Sequence, residues 1–537
     1  MSADAVVIGG GPNGLVAANL LADAGWDVVL LEAQDTVGGA VRSDRGVHDG
    51  YVHDTFSSFY PLAAVSPTIR SLGLERFGLE WAHAPSVVGT PFSNGDWAVL
   101  HRTPEETAAG LDAHTPGDGD AWLEMCRGWQ QIGDQVVGSL LSPFPPVRNG
   151  LGALAKLPGA GGLSFVQMML SPARSIVDRS FRGAPAKMLV ASNAAHADVS
   201  MDAPGSGVMG WLLAMIGQHL GYPVPVGGAG MFTQAMARRF EAAGGTIRLG
   251  CRATGIDVRD GRAVAVRTAD GDVLEARRAV VADVSAPALY GGLVGWEHLP
   301  SKWRRKMRRF EWDPGTVKVD WALDGPVPWT NGPEKVAGTV HLAESVDELT
   351  IAGAQIAAGA VPDRPFMLVG QMAAADPGRA PAGTESLWAY THVPQEVRSD
   401  AGADGITGRW DPGEAERMAD RMQARIEHYA PGFGDRVLSR RVLGPREMER
   451  LDANLHNGAL NGGTSGLQQQ LVFRPVPGTG RAETPVKGLY LGSASAHPGG
   501  GVHGACGSNA ARAALAHDRL RRAWLGVSRR MGAASAG

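Results

Sequence analysis

Apolar and polar positions along this chain fall into blocks that read as strands and helices before any motif is considered. Residues 5–8 (AVVI) form a short, β-branched run, the pattern of a strand buried on both faces. Residues 15–24 have helical composition, and residues 27–31 form a second apolar run closed by Glu32. Near the middle, residues 231–243 follow helical spacing, and runs at 246–249, 253–258 and 263–268 read as strands. RDGR and ADGD are hairpin-turn signals in this region, and the apolar run AVVAD, ending at Asp283, predicts another buried strand. Further on, 316–329 and 386–394 read as strands. Residues 414–429 read as an amphipathic helix stopped by Pro431 and Gly432.

The first three elements enclose the most specific chemistry. Between strand and helix the chain reads GGGPNG, so Gly9, Gly11 and Gly14 form GxGxxG, with Pro12 and Asn13 inside it. In a βαβ unit this spacing binds a dinucleotide. Gly9 makes the tight turn, Gly11 lets backbone approach a pyrophosphate, and Gly14 lets helix and strand pack closely. The phosphates then sit at the positive end of the helix. Glu32, ending the second strand, accepts hydrogen bonds from ribose hydroxyls and repels a 2′-phosphate. A second close approach follows at Gly38 and Gly39, with Arg42 beyond. A nicotinamide enzyme does not need this element, whereas flavoproteins of the glutathione-reductase type often have it, so FAD is the expected cofactor. The 226–283 segment reads either as a return to the first sheet, flanking the adenine through backbone of the Ala253–Ile256 strand, or equally as a free-standing α+β subdomain.

Composition narrows the class. The chain has 537 residues, 44% hydrophobic and 19% charged, with a formal net charge of −4. That length allows about two to four domains, and the charge gives no global field for nucleic acid. Cys126, Cys251 and Cys506 lie far apart without CxxC spacing, which argues against a disulfide framework or a zinc site. The expected location is the cytoplasm, with contact at a membrane surface as the alternative; no apolar run is long enough to span a bilayer. Residues 302–310 (KWRRKMRRF) carry six cations, read first as a solvated helix face and second as a contact for anionic lipid. The Gly/Pro-rich apolar stretch 139–170 reads equally as a tunnel mouth, a bilayer contact or ordinary packing.

Near its end the chain reads AHPGGGVHGACGSNAARAAL, from 496 to 515. With VVIGGGPNGLVAANLLADAGWDVVLLEAQDTVGGAVRS at the front, PVGGAGMFTQAMARRFEAAGG in the middle and GLYLGSASAHPGGGVHGACGSNAAR at the back, the chain resembles the phytoene-desaturase-related flavoproteins. This group includes carotenoid desaturases and isomerases, long-form carotenoid ketolases and the pyridine nucleotide-disulphide oxidoreductase domain protein 2 set. NLHNGAL (454–460) and FRP (473–475) are similar to the last two branches. Ala496 stands where the group often has Thr, and GYVHDTFSSF replaces its usual F-D-x-G after Gly50.

The resemblance implies an α/β fold: a discontinuous Rossmann-type, glutathione-reductase-like FAD domain (1–75, 225–290, 480–525) with an inserted α+β substrate domain (76–224, 291–479). Residues 526–537 are expected to be a frayed tail. It implies that 488–493 is the last strand of the FAD domain, ending at Gly492 and Ser493. Gly499 to Gly501 then pass the isoalloxazine, with Gly500, Gly501 and Val502 at the cofactor, and a helix from about Ser508 aims its N–H groups at the pyrimidine edge. The strands at 316–329 and 386–394 cover the flavin.

The expected activity is transfer of a hydride from a C–H bond of a hydrophobic substrate to flavin N5, with a carotenoid or other isoprenoid leading. The alternatives are oxidation of another secondary metabolite or an amine, and a non-redox isomerase or binding protein that retains FAD. The electron acceptor stays open between oxygen, a quinone and others, as does the oligomeric state. No HExxH, GxSxG or spaced metal ligands occur. His53, Asp54 and His497 are the candidates for a catalytic role, with His219, His456 and His503 as further histidines near the flavin.

Overall fold

The computed structural model describes residues 2–156, 158 and 162–534. Two large sheets organise the chain. The first has strand order Ala253–Arg259, Arg262–Thr268, Val273–Ala282, Ser2–Ile8, Val28–Leu31, Thr246–Arg248. Ser2–Ile8 pairs in parallel with both Val273–Ala282 and Val28–Leu31, and is buried from Ala3 onward. The long strand Val273–Ala282 is shared. Its start pairs antiparallel with Arg262–Thr268, and its end pairs in parallel with Leu489–Leu491. Residues from both ends and the middle of the sequence therefore meet in one sheet.

Helices Pro12–Asp23, Gly230–Ala242 and Ala505–Ala534 cover that sheet through Leu15, Val16, Phe232, Met236, Ala510 and Ala514. The last of these starts at Ala505, three residues before its expected start, because His503 caps it: the Nδ1 of His503 accepts the Ala505 N–H at 3.0 Å. It continues as helix to Ala534, so the expected frayed tail is helical from 526 to 534. Residues 535–537 lie outside the described residues.

The second sheet has order Val437–Leu443, Gly315–Leu323, Glu385–Val393, Met367–Gln371, Ala337–Leu342, Ser86–Pro91, Trp97–Leu100. It is mixed: Ala337–Leu342 runs parallel to Ser86–Pro91, and the other pairs are antiparallel. Strand alternation gives it two packed faces. Leu387 and Ala389 join Val317, Val319, Met418 and Ile426 beneath helix Pro412–Tyr429. Trp388 and Tyr390 point the other way, into a helical cap that includes Asp118–Leu140, Ala184–Ala195 and Ser206–Leu220. The strand expected over 316–329 ends at Leu323, since Pro326 and Pro328 cannot continue the ladder. Within 139–170, helices Val147–Lys156 and Leu163–Leu170 are described, whereas residues 157 and 159–161 lie outside the described residues.

Candidate cofactor and active site

Three loops converge at the carboxyl ends of the parallel strands. The first is Gly9–Gly14. A Cβ on Gly14 would stand 2.0 Å from the Gly9 carbonyl oxygen, so only glycine lets helix Pro12–Asp23 start this close to its strand. The second is the Gly38–Gly39 turn. Gly38 N–H donates to the Gly10 carbonyl (2.9 Å), and a Cβ on Gly39 would be 3.2 Å from the Gly11 Cα. The third is the 499–504 loop leading into the terminal helix, whose Gly507 is so near Asn13 that a Cβ would lie 1.9 Å from its carbonyl oxygen. Two helix N-termini and a double-glycine turn thus share one cradle, an arrangement suited to a diphosphate.

Orphaned polar atoms show that this cradle awaits a partner. Asn13 Oδ1, Arg42 Nε, Ser508 Oγ and Asn509 Nδ2 are buried without a hydrogen bond among the described residues. Arg42 is otherwise held by the Leu451 carbonyl (3.1 Å) and lies over the Phe56 ring at 5.4 Å. Glu32 accepts from Gly10 N–H (2.7 Å) and Gln34 N–H (2.8 Å), with lone pairs left for ribose hydroxyls. Cys251 N–H donates to the Glu32 carbonyl (2.8 Å), which brings Ala253 to the same end of the cradle. Gly492 N–H bonds the Ala282 carbonyl (2.8 Å), setting Ser493 beside the end of the central strand. Val502 is a β-branched residue with φ of +54°, a conformation worth on the order of 1–3 kcal/mol of strain and typical of ligand-facing loops. The residues present fit FAD.

Two acids here escaped sequence reasoning. Asp283 accepts the Gly14 N–H at 2.8 Å, and burial pushes its carboxyl up to about 7. Asp452 Oδ2 lies 3.4 Å from where a Cβ on Gly39 would be, and burial raises it as well. Glu32 is likewise raised by burial. No sequence spacing links Asp283 or Asp452 to the glycine loop; the AVVAD strand end was the available signal for Asp283.

The glycines of the HPGGG loop have protein neighbours that already require them. A Cβ on Gly500 would meet Asn461 Oδ1 at 2.6 Å, and one on Gly501 would meet Leu62 Cδ1 at 2.6 Å. Gly499 backs onto Arg474. This arginine, from the FRP stretch, is buried and donates to the carbonyls of Asn461 (2.6 Å), Thr464 (2.9 Å) and Ala494 (2.7 Å). It fixes the glycine loop with no carboxylate bonded to it among the described residues.

Each candidate for catalysis is bonded to the scaffold through one atom, while His53 Nδ1, Asp54 Oδ2 and His497 Nδ1 are buried without a hydrogen bond among the described residues. Asp54 is fully buried and accepts from Ala229 N–H (2.7 Å), Ser43 Oγ (2.7 Å) and Arg379 Nη1 (3.1 Å). His53 donates from Nε2 to the Trp321 carbonyl (3.0 Å), and burial lowers it. His497 donates from Nε2 to the Ser142 carbonyl (3.0 Å), and burial brings it down to about 4. His503, also at about 4 through burial, caps the terminal helix. His219 stacks on Trp129, and His456 pairs with Glu449 at 3.0 Å.

The fold and cradle define an FAD-dependent oxidoreductase, and comparison with known proteins agrees. Residues 7–72 match the NAD(P)-binding Rossmann-like domain, and residues 161–397 match the flavin containing amine oxidoreductase family. The mouse pyridine nucleotide-disulfide oxidoreductase domain-containing protein 2 is 28% identical over 95% of this chain and 92% of its own. The neurosporene-forming phytoene desaturase of Cereibacter sphaeroides is 25% identical over 96% of this chain and 95% of its own. Among solved structures, an oxidoreductase from Methanosarcina mazei superposes with a TM-score of 0.61 at 16% identity, covering 96% of this chain and all of its own. Putrescine oxidase gives 0.61 at 17%, covering 97% and 99%. The chain is an FAD-dependent oxidoreductase, similar to the phytoene-desaturase-related flavoproteins.

Proposed function

We propose that this enzyme dehydrogenates a hydrophobic substrate, a carotenoid or another isoprenoid, at a C–H bond held beside the HPGGG loop. The observation that carries this reading is the row of apolar groups next to that loop. Leu62 abuts Gly501, and Phe59, Val65, Trp388 and Tyr390 pack with it on the cap side of the second sheet. Bound FAD supplies a two-electron acceptor for the C–H bond. The chain's own residues orient the substrate, exclude water and hold charge: the loop glycines set the approach, and the terminal helix presents N–H groups where an anion is stabilised. The relatives named as desaturases support a polyene substrate. A limonene dehydrogenase component from Castellaniella defragrans, 22% identical over 97% of this chain and 96% of its own, supports the broader isoprenoid class.

One observation favours a second reading, oxidation of an amine. Trp388 and Tyr390 stack at 5.9 Å and 14°, an aromatic pair that a cation can approach. Anaerobic mixing of purified holoenzyme with a C40 polyene in detergent, and separately with primary amines, tests both. Bleaching of the flavin by the polyene alone is the expected result; bleaching by amines alone overturns the isoprenoid reading.

The same reading includes delivery from an anionic lipid surface. Val147, Leu151, Leu154, Leu163 and Leu170 are exposed on helices Val147–Lys156 and Leu163–Leu170. Exposed Leu471 and Phe473 belong to a neighbouring loop, tied to the first helix by Phe144 N–H to the Gly480 carbonyl (3.0 Å). Lys306 of helix Ser301–Met307 donates to the Pro477 carbonyl of that loop, which sets Lys302, Arg304 and Arg305 at its edge. Apolar side chains rimmed by cations suit a bilayer surface.

A further inference from the structure

Between helix Ala184–Ala195 and the second sheet lies a file of polar side chains that the cofactor cradle does not use. Its hydrogen-bond polarity can be read from one end. The Ser192 hydroxyl donates to the Met188 carbonyl (2.6 Å), which uses its single proton. Ser192 Oγ, 2.8 Å from His341 Nδ1, is therefore the acceptor, and His341 carries its proton on Nδ1. Burial brings His341 down to about 3, so it is neutral and its Nε2 is bare. His196 Nε2 lies 3.1 Å from that bare nitrogen and must be the donor. The lone pair of His196 is then on Nδ1. No described residue takes up that atom in a hydrogen bond, and His196 is half-buried while His341 is fully buried.

This file adjoins the flavin loop. Two residues after His196, Asp198 contacts His392 Nε2 at 2.6 Å and accepts the Asn461 amide at 2.6 Å; Asn461 in turn abuts Gly500. Asp198 has φ of +58°, a left-handed conformation held by these partners. Around His196 stand His341 from Ala337–Leu342 and His392, with half-buried Tyr390, from Glu385–Val393. Asp198 and Asp313 lie beyond, Asp313 being bonded to the N–H groups of Leu460, Asn461 and Gly463.

We propose that His196, oriented by His341 and Ser192, is the proton acceptor on the substrate side. The proposal rests on the oxidoreductase reading above. In a dehydrogenation two vicinal C–H bonds break and one carbon–carbon π bond forms. One C–H electron pair would leave as hydride, for which FAD in the cradle would be the acceptor. The other hydrogen leaves as a proton, and the Nδ1 lone pair of His196 forms the new N–H bond. With FAD held in the cradle, the substrate would lose two electrons and the flavin would gain two, and the His196 imidazolium would pass its proton to water as product leaves. Burial, together with His341 and His392, holds His196 well below the ordinary histidine range, so it stands unprotonated and ready at neutral pH.

Two measurements test this. Nitrogen-15 NMR of histidine-labelled protein reads the tautomers directly. The expected result at neutral pH is Nε2–H for His196 and Nδ1–H for His341, and a His196 that is protonated on Nδ1 overturns the proposal whatever the substrate is. Anaerobic flavin bleaching by the C40 polyene is then followed in wild type and in His196→Gln, which keeps a donor toward His341 and cannot take a proton. The variant is expected to bleach ~10²–10⁴-fold more slowly with an unchanged flavin spectrum and Tm, and to lose the acid limb of the wild-type pH profile. A rate within about threefold of wild type assigns His196 a structural role and overturns the proposal. Bleaching of wild type by amines alone, still slowed in the variant, overturns the isoprenoid reading and leaves the proton acceptor standing. Wild type bleached by neither compound overturns both.

Discussion

Asp283 links cofactor binding to pH. Its carboxyl is bonded to the Gly14 N–H at the head of the first helix, and burial pushes it up to about 7. A diphosphate anion in the cradle favours its neutral form, as it does for Glu32 and Asp452. FAD binding therefore takes up protons above pH 7, and affinity is expected to fall by up to about tenfold per pH unit there. Titration of apoprotein with FAD from pH 6 to 9 checks this, and Asp283→Asn should flatten the dependence. The same shift has a stability sign. A raised folded-state carboxyl stabilises the apoprotein fully below the ordinary Asp value, and that contribution is lost as pH climbs through about 7. Arg474 carries a second residue-scale prediction. Arg474→Met strands several buried carbonyls at about 1–3 kcal/mol each, so loss of bound FAD and a clear drop in Tm are expected on calorimetry. The glycines, Glu32 and Arg42 were legible in sequence because their spacing is local. Asp283, Asp452 and Asn461 were not, since each reaches the site from a distant part of the chain.

Among elements, the approach of the terminal helix to the first helix decides the cradle. Gly507 packs against the Asn13 carbonyl at a distance that excludes any side chain. Gly507→Ala is expected to cost about 1–3 kcal/mol by overpacking and to move both helix N-termini apart. Weaker FAD retention after gel filtration, with helix content by circular dichroism unchanged, is the outcome to look for. The strand and helix positions of the first sheet followed from apolar runs, because parallel strands buried on both faces leave a plain signature. The HPGGG loop was legible as glycine-dependent, but the reason differs in part: Asn461, Leu62 and Arg474 already fill the space that a Cβ would take. His53 and Asp54 show the same limit. Their residue types suggested chemistry; Arg379, Ser43 and Ala229 hold Asp54 Oδ1 and Trp321 holds His53 Nε2, which leaves Asp54 Oδ2 and His53 Nδ1 buried without a hydrogen bond among the described residues.

At the scale of the whole molecule, exposed leucines and a basic helix share one region, and no described helix is long and apolar enough to cross a membrane. Flotation with vesicles of anionic phospholipid is expected to carry the protein upward, less so at high salt, since screening weakens the basic contribution. Leu151→Glu combined with Leu154→Glu should abolish flotation without altering the flavin spectrum. Equal flotation of this variant would place the contact elsewhere.

The sequence by itself determined the dinucleotide loop, the second glycine turn, the alternation of strands and helices at the front, and the cofactor class. Each rests on spacing within some forty residues, where backbone geometry ties position to role. Tertiary structure alone decided which acids line the cradle, that Arg474 braces the glycine loop, and that His196, His341 and Ser192 form one polarised file. These depend on sheet order and on the cap folding over the second sheet. A hydrogen bond between residues 145 apart, such as that of His196 and His341, leaves no periodic trace in the chain.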